Sequence, residues 1–278
     1  MTNDYDADFA IAGRTELGIL DHLGHVGTLF RKFLDQDSGF VSYGVEVDRR
    51  RWFVKHSATG PIHSLRGAIR LHRAVRHRAI VPLCHVLRTA DGLALVYPWV
   101  DGEVLYDPAT ARGSLARTDP ASAHARFRAQ PVDVILDVID ELFDAHLPVS
   151  RAGFVAVDWY DGCLLYDFDH GEIRLIDLDE YRPGPFVAGA PPLPGSRRFR
   201  PPEHHHLGRV SDDRSTVFQL GRTAQVLLDT GDLTGNWRAS AALAAVAGRA
   251  TAEEPGHRYK SVDDFINAWR RTLEGRSA

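Results

Sequence analysis

The spacing of apolar residues changes partway along the chain, and a fold built from one kind of element cannot satisfy both spacings. In "GFVSYGVEVDRRRWFVKHS", residues 39–57, apolar and polar residues alternate on both sides of "DRRR". Alternation sends every second side chain to one face, so this stretch predicts a hairpin of two half-buried strands, with Lys55 at the end of the second. By contrast, "PVDVILDVIDELFDAHL", from residue 131, repeats apolar residues at 132, 135, 136, 139, 142, 143 and 147. Steps of three and four form one stripe on a helix, and Pro131 suits its first turn.

The remaining segments divide the same way. "SLRGAIRLHRAVRH" sets Leu65, Ala68, Ile69, His72 and Val75 at helical steps, and "AIVPLCHVLR" and "LALVYPWV" read as strands on either side of the turn "TADG". The first hundred residues therefore read strand, strand, helix, strand, strand. Residues 107–130, rich in Ala, Arg, Ser and Pro without a clear period, predict a loop or insertion. Beyond residue 131, "CLLYDF" and "EIRLIDL" read as short strands around "DHG". The Pro/Gly-rich stretch 182–195 predicts irregular backbone. Helices are predicted near 216–229, 237–249 and 261–273, the last opened by Ser261 and Asp264 in a capping-box arrangement. Strands gathered first and helices afterwards predict an α+β fold.

Composition narrows the function classes. Of the 278 residues 44% are hydrophobic and 25% charged, which suits a soluble chain able to bury a sizeable core. A net charge of −4 argues against wholesale nucleic-acid binding, and the one dense basic cluster, "RRFR" at 197–200, is short. Cys84 and Cys163, the only cysteines, are far apart and support neither a disulfide framework nor a zinc site. No run of about 18 apolar residues could span a membrane, and "MTNDYDADFA" is acidic, so no membrane and a cytoplasmic location are expected. The three histidines of "EHHHL" point in different directions on any regular element and are expected to be solvated rather than to share a metal.

Several spaced segments together resemble the protein-kinase-like superfamily, including its aminoglycoside and choline kinase branch, from about residue 35 to 273. "GSRRFRPPE", 195–203, is similar to the G-T-x-x-Y-x-A-P-E end of an activation segment, and "EEPGHRYKSVDDFINAW" to the family's "D-P-x-x-R" helix. The resemblance implies a bilobal fold. An N-terminal extension (1–34) would precede a small β-rich N-lobe (35–97), a hinge (98–101) and a larger helical C-lobe (102–278), with 107–130 as an inserted loop. It also implies a structural ion pair between Glu203 and Arg258. "WFVKHS" resembles the V-A-I-K strand, which makes Lys55 the phosphate contact, with Gly39 from a thinned glycine loop and the backbone near Trp99 and Val100 holding adenine. "FVAVDWYDGC" aligns with H-R-D-x-x-x-x-N and "LIDLDEY" with D-F-G. Asp158 is then the base or orienting carboxylate and Asp177 the magnesium ligand.

The same alignment implies departures from the family. Ala68 stands where the lysine's glutamate partner would be, Ala156 and Val157 replace His and Arg, Thr216 replaces a steadying Asp, and Cys163 replaces the metal-binding Asn. A thiol is a poor magnesium ligand, so Asp179, with Asp161, is expected to complete the metal shell beside Asp177. Two functions follow as expectations. One is an ATP- and magnesium-dependent phosphotransferase acting on a hydroxyl of a protein Ser/Thr or of a small molecule. The other is a pseudokinase, a binding or regulatory scaffold with little catalysis.

Overall fold

The computed structural model describes residues 13–34, 39–57, 62–107, 115–189 and 193–275. The four residues before Gly39, part of the 107–130 segment and residues 190–192 lie outside that description. The fold is α+β, with a mixed sheet and several helices, and it divides into two compact units. One comprises residues 1–73 and 81–101; the other, residues 74–80 and 102–278.

In the first unit, β1 (Gly13–Arg14), α1 (Ile19–Val26), β2 (Thr28–Phe33), β3 (Val41–Val47), β4 (Arg50–His56), α2 (Ile62–Ala74), β5 (His85–Thr89) and β6 (Gly92–Pro98) follow in order. Six strands form one sheet in the order β1-β5-β6-β4-β3-β2. All pairs are antiparallel except β1 with β5. Asp48 and Arg49 close the β3–β4 hairpin, both at positive φ (50° and 65°), the backbone a tight two-residue turn demands. Residues 13–34, read from the sequence as an extension, are instead part of the sheet unit. Ile19 and Leu23 of α1 pack with Tyr43, Val45, Trp52, Val54 and Val96 on one face. On the other face Leu65 and Ala68 of α2 pack with Phe40, Leu93 and Leu95. Strand alternation thus decides which side Lys55 takes: Lys55 and Leu95 are directly paired, so Lys55 shares the α2 face while Trp52 and Val54 line the α1 face.

The second unit contains β7 (Glu103–Val104), α3 (Leu115–Thr118), α4 (Ala123–Arg128), α5 (Val132–Arg151), β8 (Phe154–Ala156), β9 (Leu164–Asp167), β10 (Glu172–Leu175), β11 (Tyr181–Pro183), β12 (Phe186–Val187), β13 (Val210–Ser211), α6 (Asp213–Leu228), α7 (Ala241–Ala250) and α8 (Val262–Glu274). Its core lies among the long helices, where Phe143 of α5 meets the rings of Phe265 and Trp269 of α8 edge-on at 5.0 and 5.3 Å. Three differences from the sequence reading stand out. Part of the 107–130 segment is helical: Ser122 caps α4 by accepting from the Ala125 N–H (3.1 Å), and His124, Phe127 and Arg128 form its buried stripe. The breaker-rich stretch after 181 contains β11, paired with β8, and β12, paired with β13. An additional short strand, β8, precedes Asp158. Each pairs only two or three residues, too few to leave an alternating pattern.

Candidate functional site

Within the second unit, residues 156–163 form a loop between β8 and β9 that is held at many points. Thr216, Gln219 and Thr223 lie three and four residues apart on α6 and so face one way. Thr216 Oγ1 accepts from the Ala156 N–H (3.1 Å), Gln219 Nε2 donates to the Val157 carbonyl (3.0 Å), and Trp159 Nε1 donates to Thr223 Oγ1 (2.9 Å). A hydroxyl at 216 thus anchors the backbone of the segment at residue 156. Gln219 and Thr223 were not singled out in the sequence, though three polar residues at helical spacing inside a mostly buried helix are a legible sign of a polar contact stripe.

The loop closes on itself at Cys163. The Cys163 N–H donates to the Tyr160 carbonyl (2.9 Å) and its thiol to the Asp158 carbonyl (3.4 Å). Cys163 is fully buried and acts as an internal brace of the loop. Its carbonyl in turn accepts from the Ile176 N–H (2.9 Å), which sets Asp177 beside the loop that carries Asp158. Asp177 has φ of +59° and is exposed. A non-glycine residue at positive φ costs some energy, less for aspartate than for most, and such residues gather at ligand-handling sites. Gly195, at φ +119°, backs onto the same place: a Cβ there would sit 3.2 Å from Asp158 Oδ1. Arg200 donates to the Gly195 carbonyl.

Tyr160, which the sequence reading passed over, sits among these groups. Burial raises its phenol pKa, and Cys163, Asp177, Asp158 and Asp161 raise it further. Its hydroxyl thus stays protonated, a neutral donor among acids. Gly162 makes room for it, since a Cβ there would meet the Tyr160 ring at 2.2 Å.

The expected third metal ligand, Asp161, is placed differently. Its carboxylate is almost wholly buried and receives Arg117 in two parallel bonds, Nε to Oδ2 at 2.6 Å and Nη2 to Oδ1 at 2.8 Å. His124 Nε2 lies 3.3 Å from Oδ2. Burial alone would raise the Asp161 pKa, but bonds from His124 and Arg117 outweigh it and hold the carboxyl below its usual range. Both oxygens are committed to a guanidinium, so the expectation that Asp161 holds magnesium is corrected. Asp179 is buried where Asp177 is exposed, so those two carboxylates occupy unlike surroundings. Among the described residues no group of three or more His, Cys, Asp or Glu side chains is arranged to hold a metal.

Glu203 and Arg258 form a buried, two-pronged ion pair at 2.8 and 2.9 Å. Ser215 Oγ donates to Glu203 at 2.7 Å, and Arg258 also donates to the carbonyls of Ala252, Arg214 and Glu253. Burial would raise the Glu203 pKa; Arg258 and Ser215 lower it overall. Of the adjacent histidines, His204 is buried and His205 and His206 are exposed, so the three do not converge. Burial pushes His204 down to about 4.

In the first unit, Lys55 is buried, with Nζ 4.8 Å from the centre of the Phe40 ring. Ala68 is buried in the apolar cluster on the same sheet face. Farther along that face, Phe53 is paired with Tyr97, and Trp99 meets Phe30 edge-on at 4.8 Å and stacks with Phe33 at 6.5 Å. Gly44 is required here, because a Cβ would fall 2.6 Å from Phe30 and 3.0 Å from Trp99. The Trp99 N–H, expected near a base, donates instead to the Arg51 carbonyl (2.9 Å), and Val100 is half-buried. Gly39 has φ of +74°, a backbone state that glycine adopts at little cost.

With this geometry in hand, neither comparison identifies a relative: no model of a known protein family matches the chain, and no curated protein does.

Proposed function

We propose that the protein is an ATP- and magnesium-dependent phosphotransferase of the protein-kinase-like, bilobal type, transferring a γ-phosphoryl group to a hydroxyl of a protein or a small molecule. The observation that carries this reading is the pairing of Asp177, exposed at positive φ, with the braced loop bearing Asp158. Asp158 orients the acceptor hydroxyl and takes its proton. Asp177, with Asp179 behind it, supplies hard oxygen donors of the sort magnesium accepts while keeping several waters. Magnesium, when bound, neutralises phosphate charge. Lys55 faces phosphate oxygens as a point cation, and the rings of Phe53, Tyr97 and Trp99 offer a base a stacking surface.

One observation favours a second reading, a kinase-shaped binding module. Asp161, one of the three residues of the expected metal shell, and Cys163, at the position that aligns with the family's metal-binding asparagine, are both spent on internal contacts. The deciding test is thermal unfolding with saturating ATP, with and without magnesium, for the native protein and the Asp177→Asn and Lys55→Ala variants. Ligand at about a hundred times its dissociation constant stabilises by about 2.7 kcal/mol. For a chain of this length that raises Tm by roughly 5 °C. A magnesium-dependent rise lost in both variants is expected; no rise under any condition, with the variants folded, overturns the phosphotransferase and leaves the binding module.

A further inference from the structure

Among the described residues, the short helices α3 and α4 meet the candidate site at the buried Asp161 carboxylate, and the proposed function makes no use of them. Arg117 is the fulcrum. Its guanidinium grips Asp161 with two bonds and lies 3.9 Å from the centre of the Tyr106 ring. Tyr106 meets Tyr160 edge-on at 6.3 Å. Arg117 is fixed in turn from behind, because Arg128 Nη2 donates to the Arg117 carbonyl (2.6 Å) and Arg128 Nη1 to the Asp229 carbonyl at the end of α6 (3.0 Å). Arg238 reaches the Arg128 carbonyl and donates to that of Gln130 (3.0 Å). His124, wholly buried, touches the same carboxylate from α4.

The attachment divides the labour of holding the loop. Residues 156, 157 and 159 are fixed by α6, and residue 163 is braced internally, which leaves the stretch around Tyr160 and Asp161 to be fixed from elsewhere. A two-pronged arginine bond fixes both distance and plane, which a point charge cannot do. We infer that Arg117 is a positioning residue for the loop 156–163, so that α3 and α4 act as a latch completing the candidate active site. The inference rests on the phosphotransferase reading for its catalytic consequence, but its structural half stands apart from it. Freed from Arg117, Asp161 and Tyr160 would swing, and Asp158 three residues earlier would lose its aim.

Amide hydrogen exchange and magnesium–ATP hydrolysis to water, measured on full-length native protein and on Arg117→Lys, Arg117→Ala and Asp161→Asn variants, test this. In each variant that folds, exchange should quicken tenfold or more in residues 156–163 while α5 and α8 keep their protection. The lysine variant, which keeps the charge and loses the fork, is the most secure to fold. Its kcat should fall about tenfold with KM for ATP unchanged within twofold, because misplacement by a fraction of an ångström affects the transition state before binding. Unchanged loop exchange, or an equal loss of protection throughout, overturns the latch. Quickened loop exchange with native kcat overturns the positioning role. If native protein neither hydrolyses nor is stabilised by ATP, the phosphotransferase reading fails, and the exchange data still decide the latch.

Discussion

The second unit contains two buried arginine–carboxylate pairs of nearly equal geometry, Arg258–Glu203 and Arg117–Asp161, and they differ in what surrounds them. Arg258 spends its donors on the carboxylate and on three carbonyls, and Glu203 gains a hydroxyl from Ser215, so a loop is bolted to a helical scaffold. Arg117 donates to its carboxylate, stacks on a tyrosine and shares that carboxylate with a histidine. The first pair is saturated by backbone, the second by side chains that can rearrange. A buried ion pair therefore shows its role by its neighbours more than by its own distances.

Breaking the saturated pair should have the largest effect. Arg258→Ala strands a buried carboxylate, and removal of one partner from such a pair costs about 3–5 kcal/mol. Chemical denaturation should show this as a fall in the midpoint at unchanged slope. A cost below about 1 kcal/mol would mean that water reaches Glu203 and that the two pairs are alike after all.

Acid should act next, through the buried histidines beside both pairs. His124 faces Asp161, Arg117 and Arg128; burial lowers its pKa most, Asp161 works against that, and the two arginines add to it. A folded-state pKa below the unfolded value of about 6.5 gives stability that is complete above that pH and is lost as pH falls. His146 behaves likewise: its Nδ1–H donates to the Leu142 carbonyl, Nε2 accepts from Tyr181 Oη, and burial pushes it down to about 4. His204 does the same. Stability should therefore decline as pH falls below about 6.5, by up to about 1.4 kcal/mol per pH unit for each histidine, and for His146 and His204 down to about pH 4. Glu203 and Asp161, both lowered, contribute fully above the ordinary carboxylate range and weaken only below it. Denaturation midpoints across this window should fall less steeply in His124→Gln than in the native protein. A flat profile down to pH 4 would refute the assignment.

The smallest effect concerns the latch's own foundation. Ser122→Ala removes the cap of α4 and should cost about 1 kcal/mol. Exchange should quicken in 123–128 while the Glu203 region stays protected, and an effect reaching Glu203 would show the two regions to be one cooperative block.

Much of the framework could be read from the residues because a long element repeats its signal. The β3–β4 hairpin and α5 are both close to their expected limits, and Asp158 and Asp177 were named from the residues flanking them. The α4 helix was missed because two of its three buried residues are His124 and Arg128, polar types that a search for apolar stripes ignores. The α1 helix has only eight residues and rests on Ile19 and Leu23. Arg117 gave no local sign at all: its partner lies 44 residues away, and nothing in "GSLART" distinguishes it from the chain's other arginines. Contacts made by side chains distant in sequence, one pair at a time, leave no period to read.

The sheet's two margins bear on how the protein can meet other copies of itself. One margin is formed by β1, described over Gly13–Arg14, and the other by β2, where the register with β3 shifts between Leu29 and Arg31 and the exposed side chains include Arg31 and Lys32. A kinked edge bearing cations repels a second strand of the same kind. Growth by strand addition, the common route to ordered aggregates, is thus discouraged at the β2 end of the sheet.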